Sequence, residues 1–341
     1  MQKNKPFDIF TLQRHITNNC QLRCKHCYVD FSKPVSINMS DFHKALDNYK
    51  RFLSYFGIKG KIYYTGGDPF LHQNFWDIIL HTKKNNIDVS IFGNYHFLND
   101  VNINRLYKNG IKFYQLSIEG LEKVHDQIRG TGTFNGVIDA INRLEKRGIY
   151  TLVNMTLSKL NIDQLIPLIK FLAYNTNLSR FDFVRVIPIG KAKDNITLND
   201  NDFKNILLDV LNIENKIKED GKKLTIGKKD HLRSLLYFQA NRLKIDINDK
   251  VNGCGMVYRH LSIIENGDIY VCRKLPIKVG NIIKDDLIDI YKNNKIVSQI
   301  LEMNFVNGCK GCELNNICRG CPAVTYGYYG NLLKKDPQCW V

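Results

Sequence analysis

The sequence predicts an α/β protein that begins with a partial (β/α)6 barrel, similar to a TIM barrel, and ends with a small, irregular, cysteine-rich domain containing a β-hairpin. Two observations carry this prediction. Short apolar runs alternate with amphipathic stretches over the first part of the chain, which is typical of βα units and a parallel sheet. Seven of the ten cysteines then fall after residue 250, where the composition changes.

Six segments are the predicted strands of the barrel. They span residues 8–17, 61–66, 88–93, 112–118, 150–157 and 181–188. Predicted helices lie in nearly every gap between them, and several follow Ser, Asp or Asn in N-cap position. These helices span 40–56, 73–85, 100–109, 134–147 and 162–175. Periodicity alone does not separate a partial barrel from an open doubly wound sheet, but six such units favour the barrel.

Three regions follow from this pattern. Residues 1–195 form the barrel, residues 196–250 a helical bridge, and residues 251–341 the cysteine-rich domain. A turn at 265–268 between two apolar segments predicts the hairpin, and other regular structure is expected to be sparse there. A domain this small would be only marginally stable on its own, so metal clusters are expected to stabilise it. The bridging helices are predicted at 195–220 and 229–243.

Composition and charge narrow the functional classes. The 341 residues are 44% hydrophobic and 24% charged, and they contain neither an apolar run long enough for a membrane span nor a signal peptide. A cytoplasmic location is therefore predicted, and there reduced cysteines indicate metal or redox chemistry rather than disulfides. The net charge of +16 favours acidic partners, but the basic residues are scattered, which disfavours nucleic acid.

The segment "CQLRCKHCYVD" contains three cysteines, Cys20, Cys24 and Cys27, at offsets of four and three. A structural zinc site needs four ligands, and His26 could supply the fourth. An iron–sulfur cluster held by three thiolates would instead leave one iron open for a substrate or cofactor. Both interpretations fit the spacing alone.

Three later motifs occur in an order that adds to this spacing. They are "YYTGGDPF" (63–70), "LSIEG" (116–120) and "VHDQIRGTGTF" (124–134). With the cysteine motif after the first strand, they resemble the radical S-adenosylmethionine (radical SAM) superfamily. The C-terminal cysteine pattern resembles the SPASM extension of that superfamily, which binds auxiliary [4Fe-4S] clusters. The resemblance covers nearly the whole chain.

The resemblance implies three [4Fe-4S] clusters and S-adenosylmethionine (SAM) as cofactors. Cys20, Cys24 and Cys27 would hold the first cluster, whose open iron is chelated by SAM, and electron transfer into SAM would release a 5′-deoxyadenosyl radical that abstracts hydrogen. Gly66 and Gly67 would let the backbone approach the SAM amino group. The other residues implied to bind SAM are His26 near adenine, Asn94 near the ribose, Ser117, and Arg129 as a bidentate partner of the carboxylate.

The same resemblance divides the C-terminal cysteines into two interleaved sets. Cys254, Cys272 and Cys321 would bind the nearer auxiliary cluster, and Cys309, Cys312, Cys318 and Cys339 the outer one. Two departures concern Cys321 and His260: "CRGC" (318–321) has two residues between its cysteines where relatives usually have three, and His260 stands where some relatives have a fourth cysteine. His260 is therefore either a ligand or a histidine packed beside an open iron. Zinc knuckles at the two C-x-x-C pairs would leave three of these seven cysteines unexplained.

The favoured function is maturation of a ribosomally made precursor peptide by crosslinking, thioether formation or epimerisation. An acidic peptide would suit the basic chain, and an electron donor of the flavodoxin or ferredoxin type is implied. Fewer than twenty residues precede Cys20, so leader binding could need a separate partner. The alternatives are a small-molecule radical SAM enzyme, such as a haem-precursor decarboxylase, sulfatase maturation, which Arg273 disfavours, and a non-enzymatic iron–sulfur carrier. No general acid or base is assigned; the candidates by position are Tyr28, Glu119, His125 and Tyr258.

Overall fold

The computed structural model describes residues 7–193, 196–227, 230–239, 254–302, 309–314, 318 and 320–341. Within these ranges one sheet contains ten strands. They are β1 (Ile9–Thr17), β2 (Lys59–Gly66), β3 (Asp88–Phe92), β4 (Phe113–Ser117), β5 (Tyr150–Leu157), β6 (Arg180–Arg185), β7 (Thr225–Ile226), β8 (His260–Ile263), β9 (Asp268–Cys272) and β10 (Leu275–Asn281).

Eleven helices accompany these strands in the described ranges. They are α1 (Met39–Phe56), α2 (Phe75–Lys84), α3 (Asp100–Lys108), α4 (Glu122–Arg129), α5 (Thr133–Lys146), α6 (Leu165–Asn175), α7 (Asp200–Glu219), α8 (Arg233–Gln239), α9 (Leu287–Asn293), α10 (Lys295–Glu302) and α11 (Pro322–Tyr329). In this part of the chain no helix is both long and apolar enough to cross a membrane.

The first seven strands are parallel and follow one another in chain order. All six predicted strands are present, with boundaries shifted by at most three residues, which confirms the α/β barrel core. The two-residue strand β7 was missed because it is too short to show a period. Helix α4 was also missed: its segment was interpreted only as a motif, although five further predicted helices are present.

Local sequence explains where the elements begin and end. The Asn38 side chain accepts a hydrogen bond of 2.8 Å from the Asp41 amide and so caps α1, which ends at Gly57 in a left-handed conformation with φ 64°. Alternate residues of β1 face opposite sides of the sheet. Phe10 and Leu12 join the apolar core beneath the helices, which leaves the intervening polar residues to face the barrel interior.

The C-terminal hairpin continues the barrel sheet. β8 pairs in parallel with β1, on the side opposite β2, and β9 and β10 follow in antiparallel order. The predicted hairpin is therefore present, but the expectation of sparse regular structure was wrong, because β10 and the helices α9, α10 and α11 also form there. These elements bury their own apolar residues, such as Val279, Leu287 and Val297, in the core.

A buried side chain of α1 adds hydrogen bonds between the barrel and the C-terminal lobe, which comprises β8 to β10 and α9 to α11. Asn48 of α1 donates hydrogen bonds of 2.8 Å and 2.7 Å to the carbonyls of Ile282 and Asp285, and it accepts one of 3.1 Å from the Leu287 amide. Of the predicted bridging helices, the first corresponds to α7. The second corresponds to α8 up to residue 239, while residues 229 and 240–243 of that prediction lie outside the described residues.

Candidate active site

A cavity opens at the carboxyl ends of the parallel strands, where ligands of such sheets bind. It measures about 1010 Å³, counting the part open to solvent. Its lining comes from the loop after β1, from the ends of β2 to β6 and from the turn after β9. It includes all nine residues predicted for the first cluster and for SAM: Cys20, Cys24, Cys27, His26, Gly66, Gly67, Asn94, Ser117 and Arg129.

Main-chain hydrogen bonds hold the cysteine loop, residues 20–27, against neighbouring elements. The Lys25 amide donates to the carbonyl of Ile128 in α4 at 3.0 Å, and the Lys191 amide donates to the carbonyl of Cys27 at 3.3 Å. Within the loop, the Cys27 amide donates to the Cys24 carbonyl at 3.2 Å. The loop is therefore shaped by contacts that the barrel itself provides.

Gly66 and Gly67 are required by this loop. A Cβ atom at Gly66 would lie 2.0 Å from the Thr17 carbonyl oxygen, and one at Gly67 would lie 2.0 Å from the Asn19 carbonyl oxygen. Gly66 also has φ 133°, which few side chains tolerate. From the sequence, the two glycines were predicted to leave room for SAM. The structure adds a second reason, because the strand end and the start of the cysteine loop touch through their backbones.

Nitrogen donors point at the sulfurs of the cysteine loop. Cys20 Sγ accepts from the Leu22 amide and from Asn94 Nδ2, each at 3.4 Å, and Arg129 Nη1 lies 3.7 Å from Cys24 Sγ. Burial raises the pKa of Cys20 and Cys27, so their thiolates need a cationic partner. Hydrogen bonds to sulfur of this kind tune iron–sulfur clusters. This donor set fits the implied cluster.

A single-ion site fits less well. Among the described residues, no group of three or more His, Cys, Asp or Glu side chains is arranged to hold one metal ion. Ligands of one ion must converge on a point, whereas a four-iron cluster offers a separate iron to each thiolate. Within the described residues, the cysteine loop and His26 are thus not arranged around one point as a single zinc ion would require.

Arg129 is already bound by a buried carboxylate. Its Nη2 and Nε donate to Glu119 Oε1 at 2.6 Å and 3.0 Å, and Glu119 Oε2 accepts from the Thr156 amide at 2.8 Å. Burial alone would lower the pKa of Arg129, but Glu119 raises it above its usual value. In this arrangement only Nη1 is directed elsewhere, toward Cys24, so the predicted bidentate contact with the SAM carboxylate would require Glu119 to move.

Two histidines contact Glu119, one at its carboxylate and one at its main-chain amide. His26 Nε2 lies 3.5 Å from Glu119 Oε1, and burial lowers the pKa of His26. His125 Nδ1 accepts a hydrogen bond of 3.0 Å from the Glu119 amide, while its buried Nε2 has no partner in the part of the chain that the structure describes. Burial, and then Arg129, lower the pKa of His125 to about 4. His125 is therefore a neutral packing group and not a general acid.

Three side chains extend from the cavity wall toward the hairpin turn. The Tyr28 hydroxyl lies 3.5 Å from His15 Nε2, and His15 Nδ1 lies 3.5 Å from Glu265 Oε1. Burial raises the pKa of Tyr28. Sequence reasoning missed His15 and Glu265, because they are 250 positions apart and belong to no motif. By contrast, the Tyr258 hydroxyl donates to the carbonyl of Leu301, so Tyr258 has a structural contact.

Several C-terminal cysteines lie close enough to influence one another or a common neighbour. Burial and then Cys339 and Cys312 raise the pKa of Cys309 to about 11, and burial raises that of Cys318 to about 12, with Cys339 contributing. Burial lowers the pKa of Lys274 to about 8, and Cys272 and Cys321 both act to raise it. Cys321 precedes α11, and its amide donates to Asp336 Oδ2 at 2.9 Å.

His260 lies beside the first cysteine of the nearer group. It begins β8, and a Cβ atom at Gly255, the neighbour of Cys254, would lie 3.6 Å from His260 Nδ1. Burial, and then Arg273 and His231, lower the pKa of His260 to about 4. The ring is thus a neutral imidazole that is placed near Cys254 along the chain.

A buried charge network lies behind Cys321. Arg185, at the end of β6, donates from Nε and Nη2 to Asp230 at 2.7 Å and 3.1 Å and from Nη1 and Nη2 to Asp336 at 2.8 Å and 2.9 Å. Its Nη1 also donates to Gln338 at 2.6 Å. The three charged side chains of this network are each at most 5% exposed. The network joins the barrel to both the bridge and the C-terminal tail.

Two sequence families match this chain. The Radical SAM superfamily matches residues 15–172, and the SPASM iron–sulfur cluster-binding domain matches residues 254–322. The first match contains the cysteine loop and the cavity residues up to Arg129. The second contains six of the seven C-terminal cysteines, and Cys339 lies beyond it.

Similar proteins act on different kinds of substrate. An AdoMet-dependent heme synthase of Methanosarcina barkeri is 24% identical, with 95% of this chain and 94% of that protein aligned. The sporulation killing factor maturation protein SkfB of Bacillus subtilis is 25% identical over 82% of this chain and 63% of its own length. The structure of Streptococcus suis SuiB bound to precursor peptide SuiA has a TM-score of 0.76 at 18% identity, covering 97% of this chain and 76% of SuiB.

Proposed function

From the premise that the chain is a radical SAM enzyme with a SPASM domain, and so uses SAM and iron–sulfur clusters, we propose that it matures a ribosomally made precursor peptide by abstracting a hydrogen atom. The product would be a crosslinked, thioether-bridged or epimerised peptide. One observation carries the proposal: the same cavity is lined by the cysteine loop, by the residues proposed to bind SAM, and by Arg273 and Lys274 of the lobe.

The open mouth of the cavity supports a peptide substrate. Its volume of about 1010 Å³ includes space that is continuous with solvent, so the cavity is a cleft and not a closed chamber. A peptide can insert one residue into such a cleft and leave the rest of its length outside, whereas a tetrapyrrole would have to enter largely as a whole.

The residues of the cavity would bind, orient and exclude water. When bound, the first cluster and SAM supply a 5′-deoxyadenosyl radical. Cys20, Cys24 and Cys27 would hold the cluster, and Asn94 Nδ2 and Arg129 Nη1 would donate to its thiolates. The remaining cavity residues proposed to contact SAM are Gly66, Gly67, Ser117 and His26.

Tyr28 is the residue best placed to move a proton. Its hydroxyl can give a proton to His15 Nε2 while it accepts one from a substrate, and Glu265 would stabilise the imidazolium that forms. His15 and Glu265 would be positioning residues, because they lie behind Tyr28. A His15→Gln variant should lower product formation while leaving SAM binding unchanged.

The SPASM cysteines would hold two auxiliary [4Fe-4S] clusters. Cys254, Cys272 and Cys321 would bind the nearer one, with His260 either as a fourth ligand or as a packed neighbour. The outer one would be held by Cys309, Cys312, Cys318 and Cys339. Such clusters require an external electron donor of the flavodoxin or ferredoxin type. A separate leader-binding protein remains part of the proposal.

One finding favours a second candidate, a radical SAM enzyme that acts on a haem precursor. The heme synthase of Methanosarcina barkeri aligns with this chain over 94% of its length, whereas SkfB aligns over 63%. Sulfatase maturation is disfavoured because Arg273 follows Cys272 where relatives with that activity carry Asp. Coproporphyrin III is the probe that separates the second candidate from the first.

Anaerobic reconstitution with iron and sulfide, followed by dithionite and SAM, tests the proposal. Three [4Fe-4S] clusters should give about twelve irons per chain, with slow release of 5′-deoxyadenosine. A peptide encoded beside the gene should then raise this release and gain a new covalent bond, detected by mass spectrometry. Bound zinc without 5′-deoxyadenosine would overturn the radical mechanism, and stimulation by coproporphyrin III but not by peptide would establish the second candidate.

A further inference from the structure

Two consecutive cations, Arg273 and Lys274, line the same cavity as the cysteine loop. They follow β9 directly. Neither forms an ion pair with a carboxylate in the ranges that the structure describes, although sixteen ion pairs of other residues are present there. Both side chains are only partly exposed. Placing two like charges together without an anion is unfavourable, and the site would gain stability by binding one.

Arg273 reaches across the cavity rather than into bulk solvent. The central carbon of its guanidinium lies 6.0 Å from the ring centre of Tyr28 and 6.0 Å from that of Phe92. Tyr28 follows the cysteine loop, and Phe92 ends β3. The guanidinium therefore lies between the lobe and the barrel, close to the residue that follows Cys27.

Three carboxylates near the cavity have other partners and form no direct ion pair with these cations in the described residues. Glu119 is bound by Arg129 and by the Thr156 amide. Asp68 accepts from Gln21 Nε2 at 2.7 Å and from the Phe70 amide at 3.2 Å, and Glu265 lies beside His15. Glu119 acts on Lys274 only at longer range, where it partly offsets the lowering of the Lys274 pKa by burial. A further anion could therefore pair directly with Arg273 and Lys274 without displacing these contacts.

We propose that Arg273 and Lys274 form a carboxylate-binding subsite that places an acidic residue of the substrate peptide beside the site of hydrogen abstraction. This inference rests on the proposed function and adds a substrate class to it. A guanidinium can hold a carboxylate through two parallel hydrogen bonds, and an ammonium adds a point charge beside it. An Asp or Glu side chain, or a C-terminal carboxylate, meets this description.

Two other sources of negative charge have to be separated from the substrate. The carboxylate of SAM could occupy the subsite, because Arg129 is held by Glu119. The thiolate of Cys272, adjacent along the chain, could be the group that the cations neutralise. The first predicts a loss of SAM affinity on substitution, and the second predicts a change in the reduction potential of the nearer cluster.

The test compares two synthetic peptide pools of otherwise identical sequences. The acidic pool carries Asp and Glu, and the amide pool carries Asn and Gln at the same positions. Binding to the reconstituted, SAM-loaded protein would be measured by competition against a fluorescent member of the acidic pool. We expect the acidic pool to bind at least tenfold more tightly than the amide pool. The double variant Arg273→Met/Lys274→Met should lose this preference, whereas Lys284→Met, which removes an exposed cation of the same lobe, should keep it.

Three results would overturn the inference. They are equal or absent binding of both pools to the unsubstituted protein, a tenfold loss of SAM affinity in the double variant, and a shifted cluster potential with the acidic preference retained. Release of 5′-deoxyadenosine by the unsubstituted protein tests the proposed function separately. A protein that releases it but shows no acidic preference would keep the proposed function and lose only the subsite.

Discussion

The cysteine loop after β1 is held by main-chain contacts, whereas the cysteines near the C terminus are anchored through a buried network of charges. Gly67 donates its amide to the Thr17 carbonyl at 2.9 Å, so the loop touches the neighbouring strand end without intervening side chains. Behind Cys321, Arg185 instead pairs with Asp230 and Asp336. Shape therefore fixes one region and charge balance the other, and substitutions should affect the two regions differently.

The largest effect should follow from removing a thiol of the loop. We expect Cys24→Ala to abolish release of 5′-deoxyadenosine and to remove about four irons per chain, while the auxiliary clusters stay in place. The reason is that the two regions are held independently. Iron analysis and electron paramagnetic resonance of the reconstituted variant would measure this. Retained SAM cleavage would refute the assignment of the first cluster, and loss of all iron would show that the two regions depend on each other.

The next effect concerns the charge network. Arg185→Met would leave Asp230 and Asp336 buried without a cation, which typically destabilises a protein by about 3–5 kcal/mol. Chemical denaturation of the reconstituted protein should show this loss in the free energy of unfolding. Arg143→Met is the matched control, because Arg143 forms its ion pairs on the exposed surface, and it should change stability little.

A triple variant sharpens this comparison. Adding Asp230→Asn and Asp336→Asn to Arg185→Met removes the unpaired charges, so part of the lost stability should return. No recovery would mean that shape and not charge balance holds the C-terminal tail. In that case shape, and not charge balance, would hold both cysteine regions.

The barrel could be predicted from sequence because its signals are local. Each strand from β1 to β6 is a short apolar run, and several cavity residues belong to motifs at strand ends, such as Gly66 and Ser117, while Arg129 lies in the motif that forms α4. The parallel order of the strands then brings these ends to one edge of the sheet, which is why residues more than 100 positions apart line one cavity.

The rest depends on contacts between distant segments. Nothing near Arg185 in the sequence indicates Asp336 as a partner, and nothing near His15 indicates Glu265. The pairing of Glu119 with Arg129 was missed for a different reason: Arg129 was assigned to the SAM carboxylate, and Glu119 was noticed only as a positional candidate for a general acid or base. Strand β10 was missed because a glycine and a proline interrupt its apolar pattern.

The glycines test whether shape controls the loop. In Gly67→Ala the new Cβ would lie 2.0 Å from a backbone oxygen of Asn19, so the cysteine loop would have to shift. We expect a loss of tenfold or more in 5′-deoxyadenosine release, with the iron of the first cluster reduced. Gly255→Ala is the control in the other region, since its Cβ would meet nothing closer than 3.6 Å. Equal effects of the two substitutions would contradict the role of shape.

The smallest effect is a pH dependence that belongs to the barrel site. His125 is buried and neutral, and burial, followed by Arg129, lowers its pKa from 6.5 to about 4. Below pH 6.5 His125 binds a proton in the unfolded chain but stays neutral in the folded chain. The free energy of unfolding should therefore fall as the pH drops from about 6.5 to about 4. The upper bound is about 3 kcal/mol at 1.36 kcal/mol per pKa unit.

Substitution of His125 separates this contribution from that of the acidic groups. His125→Gln keeps a side-chain acceptor for the Glu119 amide but cannot titrate, so the fall in stability between pH 6.5 and pH 4 should become shallower. Denaturation curves at several pH values, recorded for both proteins, would show it. An unchanged slope would mean that His125 becomes protonated without cost in the folded protein. The structure argues against this outcome, because Nε2 of His125 is buried and has no partner among the described residues. A proton there would also change a neutral ring beside Arg129 into a second cation.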